Sequence, residues 1–435
     1  MSSQATMFRL SVMMFLQFFV WGAWYVSMTG FINDQQMTDV TGAAYSVGPI
    51  AAIIAPFFLG MIADRFFPSE RVLGVLHLLG GTILCLAPWA ARPFRLAPPP
   101  EGASLFFRIV LHDLPAYVHP FILVLFAHML CYMPTLGLTT SLSFHNLANQ
   151  EEQFPLVRVW GTIGWIVGNI AVSFLPQGDQ SPEQFYLAGI AGILLGLYSF
   201  TLPHTPPPLR GQRPTIGQIL GTDSLRLFRS PSYAVFIICS FLICIPLAGY
   251  YQQARTFVES QKVLINNSAT FTMSLGQMSE VFFMWVMPWF FAFLGVKRML
   301  AVGMGAWVLR YTLFAVAAVL SPGIVVKSFV LLGVLLHGIC YDFFFVTGMI
   351  YVDKKAPSAI RHQAQGFLVL ITQGLGLGIG SKLFMAHVRL NTVEEVHDWA
   401  AIWTMPAVFA GAILVAFILL FWDRTNAKQS PEAQG

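Results

Sequence analysis

The chain alternates between long apolar runs and short segments that contain proline, glycine or charged residues. A helix needs roughly 20 apolar residues to cross the hydrocarbon core of a bilayer. The breaks divide the chain into twelve runs of about that length. We predict spanning helices at about 8–32, 42–63, 71–91, 117–145, 156–176, 184–203, 232–258, 269–294, 298–320, 323–351, 361–387 and 399–422.

Composition argues against a soluble protein. Of the 435 residues, 56% are hydrophobic and 10% are charged, whereas soluble domains carry about 25% charged residues. A soluble fold of this length has no way to bury so much apolar surface, so lipid must surround most of the chain. The run at 8–32 is too long for the apolar part of a cleaved signal peptide. We therefore predict an all-α integral membrane protein whose first run is its first spanning helix.

A longer polar stretch at 204–230 separates the sixth predicted helix from the seventh. It contains His204, three consecutive prolines and four arginines. Six helices, a basic loop and six further helices are the layout of the major facilitator fold, in which two six-helix bundles surround a central cavity. We divide the chain into an N-terminal bundle at 1–203, a cytoplasmic loop at 204–230, and a C-terminal bundle with a polar tail at 231–435.

Two short basic loops occupy matching positions in the two halves. The loop after the second helix contains Gly60, Asp64 and Arg65 and continues to Arg71, and its counterpart is Gly295-Val-Lys-Arg298. We predict that the first of these loops takes part in conformational change.

The positions of Lys and Arg predict the orientation, because cytoplasmic loops carry an excess of these residues. With both termini in the cytoplasm, 14 of the 24 lie inside and 8 outside, while Arg158 and Arg310 fall within spans. The segment 92–116 departs from this bias with three external arginines, and we expect a short surface helix near 105–111. The net charge of +4 is too small and too scattered to predict nucleic-acid binding.

Among the ionisable residues within predicted spans, four stand out: Arg158, Glu280, Arg310 and Asp342. Such residues are costly in a membrane and often mark transport or proton pathways. A low-dielectric cavity penalises a charged carboxylate, which allows it to take up and release a proton near neutral pH. Glu280 and Asp342 are therefore candidate proton-coupling sites. The alternatives are a structural ion pair or a buried protonated acid at Glu280, and a salt bridge from Asp342 to Arg310.

Polar and aromatic side chains share helix faces with these charges. Gln277 lies three residues before Glu280, so the two point to the same side of a helix. Arg158, Thr162 and Trp165 line one face of the fifth helix at i, i+4 and i+7. Arg158 could donate to a substrate carbonyl or pair with an acid; alternatively, it marks the cytoplasmic end of its helix and reaches towards water.

Glycines are grouped in two of the predicted helices. Gly161, Gly164 and Gly168 predict close packing of the fifth helix against a neighbour. The alternating glycines of the eleventh helix have the spacing of a dinucleotide motif, but they lie in an apolar span with no preceding strand. We interpret these four as packing or bending positions: Gly374, Gly376, Gly378 and Gly380.

The remaining motifs exclude several classes of protein. The chain has no phosphate-binding loop of an ATP-driven pump and no nucleophile or zinc motif of an enzyme. We predict a transporter without cofactor or metal. We expect core positions for the in-span histidines, His77, His128 and His337, and for the five cysteines, Cys85, Cys131, Cys239, Cys244 and Cys340.

Several short motifs, in register along nearly the whole chain, resemble the nucleoside:proton symporter family of the major facilitator superfamily. They are Phe15-Leu-Gln-Phe-Phe-Val-Trp-Gly-Ala-Trp24, Tyr132-Met-Pro-Thr-Leu-Gly137, Arg158-Val-Trp-Gly-Thr162, Gln277-Met-Ser-Glu280, Tyr341-Asp342-Phe-Phe and Tyr351-Val-Asp-Lys-Lys-Ala-Pro357. The resemblance implies a proton-coupled nucleoside importer of a bacterial cytoplasmic (inner) membrane, functional as a monomer.

The same resemblance implies roles for individual residues. The residues at positions that contact nucleoside or handle the proton are Arg158, Thr162, Gln277, Glu280 and Asp342. Trp165 and Tyr341 take aromatic positions of the cavity.

The seventh helix departs from the best-characterised branch of the family, which carries a Gln/Asn pair there. The matching positions are Ala248 and Tyr251, and Tyr251 is a further candidate for substrate binding. An uncharged nucleoside suits a pocket with a few hydrogen-bonding groups and aromatic faces. The alternatives are a symporter of another neutral polar solute, such as a sugar, and a drug-efflux pump or a transport-inactive sensor.

Overall fold

The structure, a computed structural model, describes residues 3–58, 67–104, 106–148, 150–206, 222–357 and 361–422. Its α-helices are α1 Ser3–Tyr25, α2 Met28–Asp34, α3 Thr41–Phe58, α4 Ser69–Leu84, α5 Ala87–Ala90, α6 Pro120–Asn146, α7 Gln150–Ser173, α8 Glu183–Ser199, α9 Pro231–Ser260, α10 Ala269–Val319, α11 Ile324–Leu335, α12 His337–Tyr341, α13 Thr347–Lys355, α14 Arg361–Val369, α15 Leu377–Leu390 and α16 Trp399–Leu420. A small antiparallel hairpin pairs β1 Thr392–Val393 with β2 Val396–His397.

Tighter and wider helical turns connect these elements. The 3₁₀ turns are Thr38–Val40, Leu114–Val118, Gly178–Gln180 and Thr222–Arg229. The π-helical segments are Phe107–Leu111, Asp342–Val346 and Leu370–Gly376. The first π-helical segment lies where a short surface helix is expected.

Eight of the described helical segments are long and apolar enough to cross a membrane. One of them, Ala269–Val319, contains two predicted spans. The predicted spans at 42–63, 71–91 and 184–203 correspond to α3, α4 and α8, whose described lengths are 18, 16 and 17 residues. Apart from the small hairpin, the described architecture is helical with several spans, in agreement with the pattern of apolar runs.

The connection between the eighth and ninth predicted helices is one residue long. Within α10 the helical backbone is interrupted at Gly295, with φ 67° and ψ 176°. Glycine adopts a positive φ without a steric penalty, so the chain changes direction there and at once resumes a helix. This agrees with the predicted boundary between 294 and 298.

Three predicted helices differ in detail. The first is broken after Tyr25 and resumes at Met28, and the fifth begins at Gln150, six residues early. Apolar runs do not reveal helical turns that extend into water, so the polar start at Gln150 was not predicted. The tenth helix is broken at Leu336. There the Ser279 hydroxyl donates to the Leu335 carbonyl oxygen at 2.8 Å, and a polar group inserted into the helical ladder is a known cause of kinks.

The hydrophobic core is divided between the two halves of the chain. Two buried clusters consist of residues between Leu10 and Leu202. A third runs from Tyr233 to Phe421 and includes Val26 from the first half. Trp165 and Tyr251 pack against clusters of both halves. The division at 204–230 stays a prediction, and residues 207–221 lie outside the described part of the chain.

Glycines permit the closest helix contacts. A Cβ at Gly164 would meet the Phe15 carbonyl oxygen, and a Cβ at Gly168 would lie 2.8 Å from that of Phe19. Both partners belong to α1, so the predicted close packing of this helix is confirmed for these two glycines.

The alternating glycines face two different helices. A Cβ at Gly374 or Gly378 would meet α3 of the first half, while one at Gly376 or Gly380 would meet α9. Their predicted role in helix packing is therefore confirmed.

Candidate functional site

Helices α7 and α10 pack against each other where the two halves meet. Arg158 of α7 and Glu280 of α10 lie close enough to interact electrostatically. The Glu280 side chain is 13% exposed, and Arg158 is also partly buried. The guanidinium of Arg158 stacks 4.2 Å from the centre of the Phe18 ring. This places a cation of one half opposite an acid of the other.

Four aromatic rings from three helices form a wall beside this pair. Trp165 meets Trp21 edge to face, with ring centres 5.4 Å apart, and lies 6.2 Å from Tyr25. Tyr251 of α9 meets Tyr25 from the other half at 5.8 Å. The predicted residues Trp165 and Tyr251 are therefore brought together through Tyr25, which was not predicted.

Two polar residues complete the predicted set on α7 and α10. Thr162 lies one turn beyond Arg158 and is buried. Gln277 lies one turn before Glu280 and is 4% exposed. The side-chain oxygen of Gln277 has no hydrogen-bond partner among the described residues, so it retains its full capacity to accept from a hydroxyl or amine.

Asp342 and Tyr341 belong to the same cluster. Tyr341 lies within electrostatic range of Glu280 and Arg158, and Asp342 within range of Glu280. Asp342 is fully buried at the first position of a π-helical segment, a geometry common at functional sites. Within the described chain, neither of its carboxyl oxygens has a hydrogen-bond partner.

Arg310 does not pair with Asp342, so the proposed salt bridge between them is wrong for this structure. Its guanidinium stacks 4.1 Å from the Tyr250 ring centre, and its Nε donates to the Gly333 carbonyl oxygen at 3.0 Å. A cation over an aromatic face is stabilised by the ring quadrupole. Arg310 thus lies on Tyr250, within electrostatic range of His337 and Tyr251.

His337 was expected to be a core residue, and its position adds to that expectation. It is buried, and its ring stacks on Tyr250 at 5.5 Å with an angle of 16°. Its Nε2 also lies 3.9 Å from Glu280 Oε2. Sequence spacing gave no signal for this contact, because the two residues lie on different helices. His77 and His128 behave as core histidines, bonded to Gln17 and to the Gly80 carbonyl oxygen.

Polar contacts join the halves on the face away from the start of α1. Asp179, between α7 and α8, pairs with Arg255 of α9 and accepts from the backbone N–H of Thr270 at 2.9 Å. Asp113 lies 3.1 Å from Lys382 and 3.9 Å from Arg389, both of α15. Asp179, Arg255 and Asp113 are at most 5% exposed. The sequence placed these residues in or near loops and gave no indication that they pair.

The structure describes only part of the predicted conformational loop. Gly60, Asp64 and Arg65 lie outside the residues that the structure describes, and Arg71 is exposed in the first turn of α4. Its neighbour Glu70 is buried and accepts from the Thr205 backbone N–H at 3.0 Å.

A sequence model described as "Nucleoside H+ symporter" matches residues 4–97 and 104–426. The chain belongs to the nucleoside H+ symporter family. It is 37% identical to YegT of Escherichia coli K12, a provisionally assigned nucleoside transporter, over 96% of this chain and 94% of YegT. It is 31% identical to the xanthosine permease of the same organism over 96% of both chains.

Solved structures agree with this membership. The crystal structure of a mutant of the nucleoside transporter NupG has a TM-score of 0.82 at 28% identity and covers 96% of this chain and 100% of its own. A D-xylose–proton symporter, at 14% identity and TM-score 0.69, covers 94% of this chain and 97% of its own, and shares the fold. The predicted family, the twelve-helix facilitator fold and a multi-pass transporter rather than an enzyme are confirmed. Proton-coupled nucleoside transport is confirmed as the function of the family.

Proposed function

We propose that this chain imports nucleosides together with protons across a bacterial cytoplasmic membrane, by alternating access at the site between α7 and α10. The observation that carries the proposal is the partly exposed Glu280 of one half, which faces Arg158 of the other. Protonation of Glu280 abolishes the attraction between these two charges. Proton binding therefore changes the force between the halves at the site where substrate would enter.

The remaining groups suit a nucleoside. Trp165 and Tyr251 offer ring faces and edges to a base, and Arg158, Thr162 and Gln277 offer hydrogen bonds to its carbonyls and to the sugar hydroxyls. Ala248 contributes nothing to this pocket, since it is buried against Gly380. Substrate selection at the seventh helix then falls to Tyr251.

Asp342 is the second proposed proton site. Its buried carboxyl group, with both oxygens free of hydrogen bonds from the described residues, favours the neutral form because a buried, unpaired charge is costly. Protonation of Glu280 and Asp342 together with substrate binding permits the two halves to rock.

We further propose that both termini are cytoplasmic. The face that carries Asp179, Arg255 and Asp113 is then external, and the polar contacts there close the pathway to the outside. One chain supplies both sides of the site, which supports function as a monomer.

Uptake by proteoliposomes tests the proposal. Radiolabelled uridine and adenosine should accumulate only under an inward proton gradient, and a panel of sugars should not. Accumulation that is independent of the gradient would show that transport is not coupled to protons. Uptake of sugars without uptake of nucleosides would show that the substrate is a sugar.

Two substitutions test the coupling residues. Glu280→Gln and Asp342→Asn should lose gradient-driven accumulation while Glu280→Gln keeps exchange of labelled for unlabelled nucleoside, which needs no net proton movement. Glu101→Gln, in an exposed turn, is the matched control and should behave as the unmodified protein. Retention of gradient-driven accumulation by both variants would show that the coupling sites lie elsewhere.

A further inference from the structure

We propose that His337 is a positioning residue for the coupling carboxylate: its Nε2–H donates a hydrogen bond to Glu280 whenever Glu280 is deprotonated. The proposal rests on the proposed role of Glu280. The two atoms are 3.9 Å apart, about 1 Å beyond a charge-assisted hydrogen bond. A small movement of either side chain closes that distance.

The backbone around the pair holds the two helices in close approach. The Ser279 hydroxyl donates to the Leu335 carbonyl oxygen and accepts from the Gly338 backbone N–H at 3.1 Å. A Cβ at Gly338 would lie 2.7 Å from the Glu280 nitrogen, and one at Gly276 would lie 3.0 Å from the His337 Cβ. Two glycines and one bridging hydroxyl therefore set the separation of His337 and Glu280.

The imidazole ring has a fixed orientation. Stacking on Tyr250 holds its plane, and its Nδ1 has no hydrogen-bond partner among the described residues. Nε2 is thus the nitrogen that faces an acceptor.

The surrounding charges favour a neutral histidine that donates. Arg310 lies on Tyr250 and interacts electrostatically with His337, so a second cation there would be repelled. The titratable or charged groups that face the pair from the packed helices are Arg158, Tyr250, Tyr251, Arg310, Tyr341 and Asp342. In this arrangement the coupling proton leaves Glu280 for water, and His337 keeps its own.

Two substitutions distinguish the effect of the His337 ring from that of its N–H donor. His337→Phe keeps a ring for Tyr250 but has no N–H, while His337→Gln keeps a donor without the ring. His128→Phe is the matched control, because His128 is also buried and stacks on a tyrosine at 5.8 Å, yet belongs to the other half. Each variant is reconstituted, and initial uridine uptake is measured between pH 5.5 and 8.

We expect the pH midpoint of uptake in His337→Phe to move to higher pH by about one unit, because the protonated carboxyl persists when the donor is absent. His337→Gln should lie nearer to the unmodified protein, and His128→Phe should keep its midpoint even if less protein is recovered. An unchanged midpoint in His337→Phe, with only the rate or yield reduced, would overturn the proposal and leave His337 as a packing residue.

The Glu280→Gln background distinguishes this proposal from the proposed function. If Glu280 carries the coupling proton, the pH response is already lost there, and adding His337→Phe changes nothing further. If Glu280→Gln alone retains gradient-driven accumulation, the coupling role of Glu280 fails whatever His337 does. Suppose that Glu280→Gln keeps the pH midpoint of the unmodified protein and that adding His337→Phe then shifts it. In that case His337 acts on a group other than Glu280, and the present proposal is wrong.

Discussion

Arg255 of α9 and Asp179, in the turn between α7 and α8, form a buried ion pair across the two halves of the protein. The Nη2 of Arg255 lies 3.2 Å from the same carboxylate oxygen that accepts from the backbone N–H of Thr270. Asp179 therefore ties the end of α7 both to α9 and to the start of α10. Removal of one partner from a buried pair commonly costs about 3–5 kcal/mol, because the other charge is left unpaired.

The first prediction concerns this pair. Asp179→Asn should weaken the contact between the two halves on the face that carries Asp179, and a cysteine introduced at Thr29 should then be labelled faster. Thr29 is buried on this face and donates to the Gln252 carbonyl oxygen of the other half. The measurement is the rate of modification by a membrane-impermeant maleimide, against a background without that cysteine. Glu259→Gln is the control, because the partly exposed Glu259 also pairs with Arg255 and a glutamine oxygen at this position can still accept from the guanidinium.

Exchanging the two charges should not restore closure. An arginine at position 179 has no acceptor for the Thr270 backbone N–H, so the double variant Asp179→Arg with Arg255→Asp should label as fast as Asp179→Asn. Recovery of slow labelling in the exchanged protein would show that charge attraction alone closes this face.

Arg158 depends on the absence of a side chain at Gly161. A Cβ there would lie 2.7 Å from both the Arg158 Nη1 and the Phe18 ring. Gly161→Ala should therefore displace the guanidinium and lower nucleoside affinity, although alanine is worth about 1 kcal/mol more than glycine in a helix interior. Affinity measured by binding of labelled nucleoside to purified protein checks this.

Gly411→Ala is its control, since nothing lies within 4 Å of a Cβ at that position; it should bind normally and unfold at the same temperature or higher. A Gly161→Ala protein that binds nucleoside normally would exclude Arg158 from the site.

Stacking of the nucleoside base on Tyr251 predicts that two substitutions of this residue have different effects. Tyr251→Phe keeps the ring and should retain most of the affinity, while Tyr251→Ala should lose roughly 5- to 150-fold, since stacking a base on an aromatic side chain is worth about 1–3 kcal/mol. Competition by a series of nucleosides measures both. Equal losses in the two variants would mean that the hydroxyl, rather than the ring, makes the contact.

In contrast to Tyr251, a substitution at Ala248 should affect stability and leave substrate binding unchanged. Because it is buried against Gly380, Ala248→Gln overpacks the contact between α9 and α15 and should lower thermal stability by about 1–3 kcal/mol. Substrate preference in the surviving protein should stay the same, and thermal unfolding in detergent with parallel competition assays checks both. A changed preference without loss of stability would place position 248 in the pocket.

The sequence predicted the elements well where apolar length or glycine chemistry decides them. The boundary at Gly295 and the packing of Gly164 and Gly168 are examples, since each depends on local geometry. Arg158, Thr162 and Trp165 share a face for the same reason: one helix carries them all.

Contacts between distant segments could not be predicted in this way. His337 approaches Glu280 beside the helix break at Leu336, where Ser279 of another helix donates to the Leu335 carbonyl oxygen. Arg310 stacks on Tyr250 instead of pairing with Asp342, because tertiary packing decides which side of α9 it meets. The pairing of Asp179 with Arg255 joins residues 76 positions apart, and no periodic pattern in the chain relates them.

The glycines at 374 and 378 bear on the speed of the transport cycle. Helices usually pack with side-chain ridges of one seated in grooves of the other, so relative movement must lift each ridge out of its groove. Against Pro49 and Ile53 of α3, these two positions present only backbone, so no side-chain ridge has to leave a groove there. We therefore expect steric interlocking at these two positions to add little to the barrier for switching. The rate should instead depend on how quickly the polar contacts at Asp179 and Asp113 break and re-form.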